Sequence, residues 1–112
     1  MKFTVPVLAF LILPVAALAA TPAQIAAGET IVFSTSRGNC LACHVIAGGS
    51  QPGDVGPELK NVESMVPDRK ELYAIIYDEE ARNPQTIMPP FGKNDILTPQ
   101  QINEVIDFLY TK

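Results

Sequence analysis

Histidine is almost missing: His44 stands alone among 112 residues, and the only cysteines are Cys40 and Cys43. A structural zinc site takes four ligands, commonly Cys and His from two separated pairs, so this inventory excludes one. Basic residues are also short, eight Lys and Arg against twelve Asp and Glu, for a net charge of −4. Nucleic-acid binding wants the opposite balance. Strand signals are almost absent, and no internal repeat, charge run or low-complexity segment interrupts the chain, so an all-α reading is left. No apolar stretch reaches the roughly 20 residues that cross a bilayer. The longest, Val5 to Leu18, is broken by Pro6 and Pro14.

That stretch has another reading. Lys2 is its only charge, and Ala17-Leu18-Ala19 offers small residues at both cleavage-determining positions. This is the pattern of a secretory signal peptide rather than of an uncleaved anchor. Residues 1–19 are expected to leave, and residues 20–112 to form one domain. Removal takes Lys2 with it, which makes the remaining chain more acidic still. A domain this small buries little surface and often needs a staple.

The staple is legible at Cys40-Leu41-Ala42-Cys43-His44. Two thiols three apart, followed at once by a histidine, read as a c-type haem attachment site. In a helical turn, positions i and i+3 share a face, so both thiols can bond to one porphyrin, and His44 follows them beneath the ring. A thioredoxin-like redox pair would want a strand–helix context, which the surroundings lack. A Cys40–Cys43 disulfide would close a very short loop in strained geometry.

Helix signals surround this turn. Thr21-Pro22-Ala23-Gln24 combines an N-cap, a proline at the first helical position and a glutamine three after the cap, which predicts a helix to about Ser34. Gly28 in its middle costs about 1 kcal/mol relative to Ala, explicable if another helix crosses there, although a merely tolerated glycine is the alternative. Ser36-Arg37-Gly38-Asn39 reads as a turn into the cysteines. Residues 47–62, rich in Gly and Pro, read as a long ordered loop. A haem-ligating His gives its other ring N–H to a carbonyl or carboxylate, and Pro57 is the candidate acceptor, with Leu59 turned toward the ring. A second helix is predicted from Asp68 to about Glu80, its stripe Leu72, Ile75 and Ile76. Tyr73 and Tyr77 either edge the haem pocket or pack in the core. Glu79-Glu80 reads as a solvated helix end, not an acid–base pair. Thr98-Pro99-Gln100-Gln101 repeats the first start signal and opens a last helix with Ile102, Val105, Ile106 and Leu109 as its stripe and Phe108 beside it.

The second axial ligand of the iron follows by elimination. There is no other histidine, and both thiols are committed to thioethers. Methionine is left. Met1 departs with the leader, and Met65 lies in a segment with no rigid frame, where core filling is the expected role. Met88 lies before Pro89-Pro90, which no helix can traverse and which biases the residues ahead to extended geometry. It is the expected ligand. His/Met ligation raises the reduction potential and fills both axial positions, which points to electron transfer and away from oxygen chemistry. A loose Met88 would instead suit a ligand-binding or sensor protein.

Taken together, the Gly28 helix, Cys40-x-x-Cys43-His44, Gly56-Pro57-x-Leu59, Met88 and the final helix with Val105, Phe108 and Leu109 resemble class I c-type cytochromes across residues 20–112. The resemblance implies three to four helices around one covalently bound haem c, with Gly28 facing Val105 and Phe108. The family's aromatic four after the glycine is Val32 here, with Phe33 one later, so either could pack at the crossing. Arg37 to His44, Asn83-Pro84-x-Thr86-x-Met88-Pro89-Pro90-Phe91-Gly92 and Leu97-Thr98-x-x-Gln101-Ile102 are similar, more narrowly, to the SoxX family of monohaem subunits of SoxAX cytochromes in bacterial thiosulfate oxidation. This implies haem attachment outside the cytoplasm, hence a periplasmic protein. It also implies a SoxA-like cytochrome subunit that carries the sulfur chemistry, a SoxYZ-like carrier protein and a soluble acceptor cytochrome as partners. This chain would be the electron-transfer subunit of an L-cysteine S-thiosulfotransferase, with no catalytic residue of its own. A free-standing periplasmic electron shuttle is the alternative.

Overall fold

A computed structural model of the chain describes residues 1–7, 9–14 and 19–112. Of the expected cleavage site, Ala17 and Leu18 lie outside the described residues. The described part of the leader forms no helix, and no helix among the described residues is long and apolar enough to cross a membrane.

Four helices follow. α1 (Pro22–Phe33) begins with a complete capping box: the Gln24 N–H donates to Thr21 Oγ1 at 3.2 Å and the Thr21 N–H to Gln24 Oε1 at 2.8 Å. α4 (Pro99–Leu109) begins the same way, from Gln101 to Thr98 Oγ1 at 3.2 Å and from Thr98 to Gln101 Oε1 at 2.9 Å. Each box satisfies two N–H groups that the first turn would otherwise leave open.

The two helices cross with backbones in contact. A Cβ built on Gly28 would run into the Glu104 carbonyl and stand 2.9 Å from Phe108 Cβ. Phe108 thus stands against Gly28 as the resemblance implied, with the Glu104 backbone closer still. Val105 turns into the core. The aromatic question resolves by division of labour. Val32 is fully buried, while Phe33 meets Phe108 edge to face, with centroids 5.6 Å apart and planes at 76°.

α3 (Arg69–Asp78) is capped by Asp68, whose Oδ1 accepts from the Lys70 N–H at 2.9 Å. Leu72 and Ile76 are buried and Ile75 partly so. Arg69 ties this helix to α4, donating to the Asn103 carbonyl at 2.9 Å and pairing with buried Asp107 at 2.7 Å. The helix expected to reach Glu80 instead tightens after Asp78 into a 3-10 turn, Glu79–Ala81.

α2 (Val62–Met65) is a single turn that the loop reading of residues 47–62 did not anticipate. It starts from Asn61 in the left-handed region (φ 53°), seats Val62 in the core and is held by the C-terminal segment. The Val62 N–H donates to the Lys112 carbonyl at 3.2 Å, and the Tyr110 hydroxyl to the Val66 carbonyl at 2.8 Å. Met65 corrects its expectation as core filler. With Val62 buried and Val66 half-buried, four residues apart on the inward face, Met65 turns outward and is 52% exposed. The only strand-like pairing among the described residues is one parallel bridge, Ile46 to Leu59.

Candidate functional site

The cysteine turn hangs from the end of α1. The Gly38 N–H donates back to the Ile31 carbonyl at 3.1 Å, and Asn39 adopts a left-handed conformation (φ 49°) that reverses the chain. Cys40–Ala42 then form a 3-10 turn, closed by the Cys43 and His44 N–H groups on the Cys40 carbonyl at 3.2 and 2.9 Å. One tight turn thus separates Cys40 from Cys43, with the Cys40 carbonyl bonded to both residues that follow Ala42. Both are free thiols. Burial pushes the Cys40 thiol up to about 11, which keeps it a neutral S–H near pH 7.

A second segment lies flush against this turn. The Gly53 N–H donates to the Leu41 carbonyl at 2.9 Å, Gly56 to Cys43 at 2.7 Å and Leu59 to Val45 at 2.9 Å. The approach is close enough that only glycine fits at two points. A Cβ on Gly53 would strike the Ala42 carbonyl, and one on Gly56 would strike the His44 ring. With its ring resting on the Gly56 backbone, His44 directs Nδ1 at the Pro57 carbonyl, 2.6 Å away. A carbonyl only accepts, so Nδ1 carries the proton, which leaves the Nε2 lone pair free for a metal. Leu59 is half-buried against the core beside them.

Met88 is half-buried against the same core but arrives on another segment. After the 3-10 turn, the Asn83 side chain accepts from the Gln85 N–H at 3.2 Å, and Thr86 Oγ1 accepts from the Met88 N–H at 3.1 Å. Among the described residues, no hydrogen bond or ion pair joins this loop to the cysteine turn. Sequence reasoning thus names two groups of residues. Hydrogen bonds stitch Cys40, Cys43, His44, Pro57 and Leu59 together, while Met88 reaches the core independently.

Two features depart from the sequence reading. Glu79 is not a solvated helix end: the 3-10 turn swings it inward, where it is 9% exposed and its Oε1 accepts from Arg82 Nε at 3.1 Å and Nη2 at 3.0 Å, while Glu80 stays exposed. The tyrosines stack on each other, centroids 6.1 Å apart, and neither is fully buried; Tyr77 lies so close to Gly92 that a Cβ there would enter its ring. A groove of about 670 Å³ runs along α3, but none of the two cysteines, His44 and Met88 lines it.

The donor set suits one kind of group. Two thiols one turn apart can add to two vinyl groups, and an imidazole with a free Nε2 and a thioether on a stiff loop are iron ligands of the kind found in c-type haem proteins. No cluster of three or more His, Cys, Asp or Glu able to hold a bare metal ion occurs among the described residues. The site fits a cofactor that brings its own ring of ligands.

The comparisons agree with that chemistry. A family profile described as Cytochrome c matches residues 25–111. An uncharacterized lipoprotein of Aquifex aeolicus (strain VF5) is 32% identical over 81 residues, 68% of this chain and 37% of its own length. The chain thus spans little more than a third of that curated relative. Among solved structures, SoxXA from P. pantotrophus is 26% identical with a TM-score of 0.69, covering 84% of this chain and 82% of that one. The c-type cytochrome SorU from Sinorhizobium meliloti is 27% identical with a TM-score of 0.58, over 81% and 92% respectively.

Proposed function

The chain belongs to the cytochrome c family, an electron-transfer protein with covalently bound haem c, and from that membership we propose a specific role: the monohaem subunit of a SoxAX-like complex. Cys40 and Cys43 would hold the haem covalently through thioethers, and His44 Nε2 and the Met88 sulfur would ligate its iron. Pro57 fixes the His44 tautomer and orientation, and Leu59 packs beside the ring. The haem supplies a one-electron iron couple. With His44 and Met88 as iron ligands and both thiols committed, this chain would have nothing left to bind oxygen or attack sulfur.

In the complex, a SoxA-like subunit joins thiosulfate to a cysteine thiol of a SoxYZ-like carrier. One S–S bond forms, one proton leaves the thiol and two electrons are released. This subunit takes those electrons one at a time and passes each to a soluble cytochrome. Residues 1–19 direct export to the periplasm, where the haem is attached. The likeness to SoxXA carries the reading.

The second reading is a free-standing periplasmic shuttle, favoured by the likeness to SorU, which is named simply as a c-type cytochrome. Purification from native cells separates them. A second haem protein that co-elutes through successive columns supports the subunit; consistent elution alone rejects it.

A further inference from the structure

The loop that bears Met88 leaves α3 and returns to it within three consecutive residues. On the outgoing side, the Glu79 carbonyl accepts from the Arg82 and Asn83 N–H groups at 3.0 and 2.8 Å, and its carboxylate accepts from the Arg82 guanidinium. On the returning side, the Tyr77 carbonyl accepts from both Gly92 and Lys93 N–H groups at 3.1 Å. Between them, Asp78 Oδ2 pairs with Lys93 Nζ at 3.5 Å. Gly92 is buried against the Tyr77 ring, with no room for a Cβ. Its φ is not positive, so space and not backbone freedom makes it a glycine.

Both carboxylates at the helix end are engaged in closing the loop: Glu79 holds Arg82 on the outgoing side and Asp78 holds Lys93 on the returning side. The pairs are partly exposed, so each contributes modestly and small changes shift the closure.

We propose that Tyr77, Asp78, Gly92 and Lys93 form a clasp whose opening sets how often Met88 leaves the haem iron. These are positioning residues: none supplies a donor to the iron, and they act through the loop they close. The inference rests on Met88 as the axial ligand. Opening exposes the sixth position, so the apparent affinity of an outside ligand equals its intrinsic affinity times the open fraction.

Imidazole added to the ferric holoprotein reads that fraction, with the long-wavelength methionine–iron charge-transfer band reporting the displaced sulfur. Gly92→Ala overpacks the seam and is expected to raise apparent imidazole affinity about tenfold. Lys93→Gln removes a pair whose lysine is 59% exposed and is expected to raise it about two- to fivefold, with Lys93→Arg restoring the parent value. In a Met88→Ala background neither substitution changes the affinity further, because loop opening no longer limits access. Should Gly92→Ala fail to fold, the exposed Lys93 series decides alone. Parent-like affinity in folded Lys93→Gln, or an equal change with and without Met88, overturns the clasp. Absence of the charge-transfer band in the parent protein, with Met88→Ala binding imidazole no more tightly, sinks the axial assignment itself and the clasp along with it.

Discussion

At the scale of single residues, the two proposed iron ligands have surroundings that do different work. Replacing Met88 by Ala is expected to abolish the charge-transfer band, admit carbon monoxide quickly to the reduced form and lower the midpoint potential by more than about 59 mV, the tenfold step of a one-electron couple. Redox titration and flash photolysis check all three. His44 depends on the backbone beneath it. Gly56→Ala would drive a methyl into the imidazole and break its bond to the Pro57 carbonyl. That bond makes the imidazole more basic and so favours the ferric state, hence its loss should raise the potential. A lower potential in a folded Gly56→Ala protein would show that Pro57 does not tune His44. The candidates named here come from the sequence, where chemistry limits the choice to one histidine, two thiols and a methionine ahead of two prolines. The contacts behind the proposed clasp could not be read there, since nothing in Tyr77, Asp78 or Lys93 as letters says that a loop fourteen or so residues long folds back onto them.

At the scale of elements, the crossing of α1 and α4 is the least forgiving contact. Gly28→Ala places a methyl on the Glu104 carbonyl, an overpacking that should cost about 1–3 kcal/mol and lower the thermal midpoint accordingly. Loss of either N-cap is milder. Thr21→Ala or Thr98→Ala should cost about 1 kcal/mol each, and the double variant should be near the sum, because the caps share no partner. Helices with a start signal and an apolar stripe could be read from the sequence with their boundaries nearly right. What escaped was structure imposed from a distance. The single turn of α2 exists because Val62 is drawn into the core and the C-terminal segment bonds to it, and four residues carry too little periodicity to announce that. Glu79 was misread for the related reason that its position depends on a change from α to 3-10 geometry one residue earlier, which propensity does not mark.

At the scale of the whole molecule, α3 is held to the crossed pair by a polar bracket as well as by Leu72 and Ile76. Arg69→Met would strand the Asp107 carboxylate, 8% exposed at its side chain, and should cost about 1–3 kcal/mol. Arg69→Met with Asp107→Leu should recover much of that, as chemical denaturation of the three variants would show. The all-α architecture was legible from helix signals and the near absence of strand signals, and the cytochrome c family, which the profile match shows, from a resemblance of motifs. The angle at which α3 meets α4 was not, because it is set by a contact thirty-odd residues long in sequence.

The matching capping boxes and the backbone-to-backbone seam organise α1 and α4 through this chain's own contacts. The cysteine turn is bonded directly to the end of α1, so the two thiols take their position from the crossed pair.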